Sequence, residues 1–422
     1  MNAVSYGWWQ DLVYQYNDAD HIVLKDATEG ENRARITSGI ITGLYILGDD
    51  FSVDGDASAK SRSLSLLTRE EINNVATGVA FRPVEGNGEA SENQFVRLNE
   101  DGSCDYAVFN YSDEELAFLL QYETNGFNQW QAAQTLLERI LLNGHDAQTY
   151  LDAIQKTLPF VIAKDPLLAS RLFDVPAEGY LGSRIDQNYQ PEVVQSKRNA
   201  LLDTFAREMG TFWKETYQAL DPELQNEFSQ AMGERALKNI ALSYMARQGD
   251  ADAFTWAEAQ YQTTRNMSER LGALKVLVWN DAPQAQACLD DFYNRFNDEP
   301  LALDQWFMLQ AAHPKATAQT IQYLTSHADY DLGTPNRIRA VSGGLNANPV
   351  NTWSFGVQHF IELAQYLDEK NPIVGSRMLQ VLSRWYTLAE PQRSTVQQQL
   401  QDLKAQVKSK NVAETLNSML SV

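Results

Sequence analysis

The chain has 422 residues and a formal charge of −21, and 44% of its residues are hydrophobic, among them 18 Tyr, 17 Phe and 9 Trp. That apolar content excludes a disordered chain, and the length exceeds what a single core usually serves, so two domains or an elongated repeat array are expected. So acidic a surface repels phosphate backbones and anionic lipid, and no basic block offsets it, which argues against nucleic-acid and membrane partners.

From the N-terminus, Met1–Asp20 lacks the basic start and apolar run of a signal peptide, and no later stretch is long and apolar enough to span a bilayer. His21–Leu24 (HIVL) reads as a buried strand. Arg35–Leu47 (RITSGIITGLYIL) is apolar throughout; its length favours a helix and its β-branched residues a strand, and Gly48-Asp49-Asp50 stops it. Lys60–Val75 reads as a helix, with Leu64, Leu67 and Val75 at helical spacing. Residues 78–111 read as a small sheet: Gln94–Leu98 and Tyr106–Tyr111 are strand-like, and Asn99–Gly102 (NEDG) supplies the positive-φ residue of a tight hairpin.

The texture changes near residue 112, and the pattern is helical from there almost to the end. Ser112 with Glu115 has the form of a capping box, and Asn125-Gly126 reads as the stop of that helix. A second helix spans roughly Asn128–Leu142, with Trp130, Ala133, Leu137, Ile140 and Leu141 as its apolar stripe. Asp165-Pro166, Asp221-Pro222, Pro191-Glu192, Asn266-Met267-Ser268 and Thr334-Pro335 mark further starts; a proline at the first helical position loses nothing by lacking an N–H. Gly249, Gly333 and Gly343-Gly344 read as stops or turns. About a dozen helices with short links are expected to stack as a right-handed superhelix of paired helices. The fold class is therefore mainly α: an α-solenoid over 112–422, preceded by a small α/β segment over 1–77 and a short β-sheet over 78–111.

Chemistry is sparse. The five histidines, His21, His145, His313, His327 and His359, include no HExxH and no pair four residues apart, so no zinc site is legible, and they read as core, cap or surface residues. No GxSxG, P-loop or GxGxxG occurs. Asp49-Asp50 is ordinary turn chemistry. Cys104, in the expected hairpin, and Cys288 stand outside any CxxC pair, which gives neither a disulfide framework nor a thiolate metal site; a reducing, cytoplasmic setting is expected. Two arginines stand out. Arg339 follows the start at Thr334-Pro335, and Arg377 lies one turn into the helix opened by Asn371-Pro372. A planar guanidinium at either place suits a carboxylate, whether a ligand's or, on the plainer reading, an intramolecular one.

Specific segments carry a resemblance. YSDEELAFLL (111–120), FNQWQAAQTLL (127–137), RALKNIALSYMA (235–246), NMSERLGAL (266–274), DQWFMLQA (304–311), PNRIRAV (335–341) and NPIVGSR (371–377) resemble, in order and spacing, the C-terminal region of the bacterial aminopeptidase N family of zinc metallopeptidases. The resemblance implies a helical solenoid that caps a zinc-bearing catalytic domain and walls a chamber for short peptides. It also implies that Arg339 and Arg377 line that chamber near the substrate. Ile373 stands where a family member carries a polar residue, which separates this chain from any family selectivity. The family's zinc helix and GxMEN segment have no counterpart here, so no catalytic residue, metal ligand or cofactor is assigned. Zinc belongs to the resembled family, and peptides or an aminopeptidase catalytic domain are the implied partners. The chain is thus read as a non-catalytic, chamber-forming domain, or as part of an aminopeptidase completed by a catalytic partner.

HIVL (21–24), TEGENRARITSGIITGLYILGDDFS (28–52), EEINNVATG (70–78) and FRPVEGN (81–87) resemble the end of the barrel and the following β-sandwich of melibiase-type α-galactosidases, although Asp18-Ala19-Asp20 departs from their usual Asp-Pro-Asp. A retaining glycosidase needs two carboxylates about 5 Å apart across the sugar. Those belong to earlier barrel strands, so glycoside hydrolysis is the weaker expectation. The two resemblances meet at Asn110–Asp113.

Overall fold

The computed structural model describes residues 29–41, 50, 52, 54–67, 79–86, 89–108, 111–225 and 227–421. The expected strand at His21–Leu24, the second half of the 35–47 run and the end of the Lys60–Val75 helix lie outside them. The contacts divide the chain into two compact units, Met1–Ser112 and Asp113–Val422.

In the first unit, α1 (Glu29–Ile41) takes the beginning of the ambiguous apolar run as helix, burying Ile36, Ile40 and Ile41, and α2 spans Ala57–Leu67. Three antiparallel strands follow in the order β1 (Arg82–Gly86), β2 (Glu89–Leu98), β3 (Cys104–Val108). The β2–β3 turn is the expected hairpin. Gly102 sits at φ 83°, its N–H reaches Asn99 O at 3.0 Å, and Asn99 N–H reaches Ser103 O at 2.9 Å. The register places Arg97 opposite Asp105. Buried Arg97 donates to the Asp105 carboxylate, sends Nη1 to Val79 O at 3.2 Å, and lies 4.5 Å from the centre of the buried Phe81 ring. Buried polar atoms must be partnered, so this one arginine ties the hairpin to the segment before β1.

The second unit is helical. Its helices are α3 (Asp113–Tyr122), α4 (Gly126–Glu138, continued by a π turn over Arg139–Asn143), α5 (Ala147–Lys164), α6 (Pro166–Leu172), α7 (Glu178–Ser183), α8 (Pro191–Glu208) and α9 (Gly210–Ala219). After a 3-10 turn at Pro222–Leu224 come α10 (Phe228–Gln248), α11 (Ala253–Thr263), α12 (Met267–Trp279), α13 (Ala285–Phe296), α14 (Pro300–Ala311), α15 (Ala318–Thr325) and α16 (Pro335–Asn346). The one-turn α17 (Pro349–Asn351) leads through a π segment (Thr352–Gly356) into α18 (Val357–Lys370), then α19 (Pro372–Leu379), α20 (Gln392–Lys404) and α21 (Lys410–Met419). No helix among the described residues is long and apolar enough to cross a membrane.

Most starts follow local chemistry. Asp165 accepts from the Leu168 amide, Asn266 from Ser268 and Asn371 from Val374, each satisfying a donor that the first helical turn leaves open. Gly249 closes α10 in the left-handed region at φ 79°. Three readings of the sequence are corrected. Asn125 does not stop α3; it lies in extended backbone and caps α4 through the Phe127 and Asn128 amides. Asp221-Pro222 opens only the 3-10 turn. Gly343 and Gly344 lie inside α16 because α14 passes so close that a Cβ on Gly344 would stand 2.7 Å from Ala311 Cβ and 2.8 Å from Met308 O.

The aromatic centre of the unit is Phe173, Phe205, Trp213 and Tyr244, with Trp213 stacked on Tyr244 at 4.4 Å. Most contacts run between helices close in sequence, although α6 with α10 reaches further, and Arg384 Nη2 reaches Ile185 O at 3.2 Å. Tyr189 N–H reaches Thr387 O at 2.8 Å and Ala389 N–H reaches Tyr189 O at 3.0 Å, while Gln195 Nε2 on α8 reaches Asn348 Oδ1 before α17 at 3.2 Å. The contacts α8–α10–α12–α13–α14–α16–α17 therefore return to α8 and form a closed circuit.

Candidate functional site

Arg339 and Arg377 are both exposed. Each follows or precedes a core residue on its helix. Ile338 of α16 packs with Leu363 and Leu367 of α18, and Val374 and Met378 of α19 pack against the same cluster. The helices that carry the two arginines thus share one apolar core and turn their guanidinium groups to solvent. Arg339 donates to Asn336 Oδ1 within its own helix. No carboxylate among the described residues pairs with either head, so the intramolecular salt bridge read as the plainer alternative does not form there. Ile373, at the start of α19, is 57% exposed.

Arg337 is the contrasting case. Its side chain is buried, its Nε stands 2.8 Å from Asp304 Oδ1 on α14, and its guanidinium lies 4.8 Å from the centre of the Phe307 ring. PNRIRAV thus places one arginine inward as a strut between α14 and α16, and the next arginine outward two residues later, as helical geometry requires.

The histidines are dispersed. His145 pairs with Asp113, and His313 Nε2 lies 2.9 Å from Val278 O. His327 packs edge-on to Tyr293 and Phe307. His359 of α18 lies 3.3 Å from Ser342 Oγ on α16; burial pushes its pKa down to about 4, against the pull of the Glu362 charge. Catalytic zinc needs three protein donors, and no group of three His, Cys, Asp or Glu among the described residues is placed to hold a metal ion. Asp50 lies in a turn, accepting the Ser52 amide at 2.8 Å, and Cys104 is exposed at the start of β3.

A succession of short helices joined by short links and packed mostly on helices close in sequence is the architecture of a helical-repeat domain. Residues 113–421 match the family described as a domain of unknown function with ARM repeats (DUF3458_C), and the chain belongs to that family. Aminopeptidases N are among its curated relatives. The chain is 27% identical over 296 residues to aminopeptidase N of Escherichia coli (strain K12), covering 65% of this chain and 33% of that protein. It is 26% identical over 314 residues to aminopeptidase N of Caulobacter vibrioides, covering 71% and 36%. The crystal structure of Legionella pneumophila aminopeptidase A in complex with aspartic acid shares the fold, with a TM-score of 0.66 at 20% identity over 74% of this chain and 39% of that one. The chain spans about a third of the length of the curated relatives it matches. The similarity to the C-terminal helical region of aminopeptidase N, read from dispersed segments, therefore stands on sequence and fold alike.

Proposed function

We propose that residues 113–421 form the chamber wall of an alanyl-aminopeptidase-like metallopeptidase, contacting peptide through Arg339 and Arg377, with zinc chemistry supplied from outside this helical unit. The observation that carries this reading is the family match over the whole unit, combined with two exposed, carboxylate-free arginines on helices that share one core. Guanidinium groups bind peptide carboxylates and carbonyls through parallel N–H donors, and a repeat surface suits an extended ligand.

Calorimetric titration of the full chain with trialanine tests the arginines. Replacing both by glutamine is expected to weaken binding about tenfold, the cost of a lost charge-assisted hydrogen bond; unchanged affinity overturns their role. Alanine para-nitroanilide tests the division of labour. No turnover with added zinc is expected, whereas chelator-sensitive turnover by the purified chain overturns the non-catalytic part of the reading. Co-purification of a zinc-containing partner chain would favour a two-chain aminopeptidase.

A further inference from the structure

A cleft of about 400 Å³ opens on the helical unit where the end of α8 and the start of α9 run past α5 and the last residue of α10. Its floor is apolar: Leu158 and Pro159 from α5, Met209 from the α8–α9 link, and Phe212 from α9. Leu158 and Met209 are buried, and the Phe212 ring lies 5.0 Å from Trp213 and 6.4 Å from Phe173. The floor therefore continues the aromatic centre of the unit and is held in shape by it. Its size falls within the range of preformed ligand pockets, roughly 300–1,000 Å³.

The rim is polar and carries no net charge. Arg207 and Glu208 bond each other at 3.0 Å, and beside them stand two primary amides, Gln155 and Gln248. Both glutamines are exposed, and neither amide has a hydrogen-bond partner among the described residues. Exposed glutamines elsewhere in the unit behave differently. Gln286 donates to Asp290 at 2.7 Å, Gln358 to Glu362 at 2.8 Å and Gln398 to Asp402 at 2.8 Å, each one turn on. One turn on from Gln155 stands Pro159, which offers no acid and, lacking an N–H, leaves the Gln155 carbonyl without the donor an unbroken helix gives it. Gln248 lies against Gly210, where a Cβ would stand 2.4 Å from Nε2, so the missing side chain lets this amide reach the cleft. Each free amide presents donors and an acceptor, the complement of a peptide group, and the apolar floor takes a side chain beside it. A charged chain end finds no net counter-charge there, because Arg207 and Glu208 cancel.

We propose that this cleft binds an internal segment of a polypeptide, with its main chain hydrogen-bonded to Gln155 and Gln248 and one large apolar side chain on the floor. The site uses no peptide terminus and draws on neither Arg339 nor Arg377, so it stands independently of the function proposed above.

The probe is N-acetyl-phenylalanine amide, which has a peptide group on each side of one aromatic residue and no charge, titrated calorimetrically into the full chain. It is expected to bind about tenfold more tightly than N-acetyl-alanine amide, through the added apolar burial, and more tightly than zwitterionic phenylalanine. Gln155→Ala with Gln248→Ala, both at exposed positions, is expected to weaken binding about tenfold and to leave the melting curve in place. Thr211→Trp, which fills the cleft from an exposed position on its wall, is expected to abolish binding. No binding of the probe, equal binding of the two amides, tighter binding of the zwitterion, or an affinity that survives both the glutamine and the tryptophan variants overturns the site. The double glutamine variant of Arg339 and Arg377 is expected to bind the probe as the unaltered chain does. Loss of binding in that variant places the probe on the arginine surface, which overturns this site and leaves the proposed function standing.

Discussion

At the scale of single residues, the informative groups are those whose ionisation the fold has shifted. His359 is held neutral by burial, with its pKa lowered to about 4. The unfolded chain accepts a proton near pH 6.5 that the native state refuses, so this contribution to stability is complete above that pH and declines as pH falls toward 4. The difference amounts to about 2 kcal/mol after allowing for partial solvent contact. His359→Gln is expected to flatten the fall in urea midpoint between pH 6.5 and 4. Asp368 acts in a lower window. Burial pushes its carboxyl up, but the Lys408 and Ser409 amides, at 2.6 and 3.1 Å, and the Ser409 hydroxyl outweigh that and hold it below its usual range. Its contribution is present above about pH 4 and is lost as the carboxyl protonates below that. Asp368→Asn removes the charge and one acceptor at the start of α21, and a loss of about 2–3 kcal/mol is expected in denaturant titration at pH 7.

At the scale of elements, the neighbouring glycines of α16 form a controlled comparison. Nothing lies within 4 Å of a Cβ on Gly343, whereas one on Gly344 collides with α14. Gly343→Ala is expected to stabilise by about 0.5–1 kcal/mol through helix propensity, and Gly344→Ala to destabilise by about 2–3 kcal/mol through overpacking; thermal melts of the two variants should move in opposite directions. The pair also shows where the sequence stops being legible. Local chemistry writes its own signal: the Asp-Gly hairpin, the caps at Asp165 and Asn266 and the C-terminal Gly249 could all be read in advance. A glycine that exists for a close helix crossing looks the same in sequence as one that ends a helix. Likewise Asn125 suits either end of a helix, and only its backbone angles decide. The candidate site divides in the same way. Arg339 and Arg377 were singled out by their segments and by resemblance, but the apolar core that their two helices share appears only in the folded chain.

At the scale of the whole molecule, the closed circuit changes what unfolding should look like. An open repeat array is held by neighbour contacts alone, so it can fray repeat by repeat and its probes need not agree. In Asp113–Val422 the backbone pairing at Tyr189 with Thr387 and Ala389, the Arg384 Nη2 bond to Ile185 O at 3.2 Å, and the Gln195–Asn348 bond join segments more than 150 residues apart. Fraying at either side then requires breaking the closure first, which couples the helices between. The unit 113–422, which has its own compact contacts, is expected to fold when produced alone and to melt in one transition, with coincident midpoints by far-UV circular dichroism and tryptophan fluorescence. Each closure side chain adds about 1 kcal/mol, so Arg384→Ala with Asn348→Ala should cost only about 2 kcal/mol in total. Its larger effect should be on cooperativity: the two probes should separate, and amide exchange should rise first near Tyr189 and Ala389. If the double variant keeps coincident midpoints and unchanged exchange at those residues, cooperativity comes from the neighbour contacts, and the closure is only a consequence of how the helices stack.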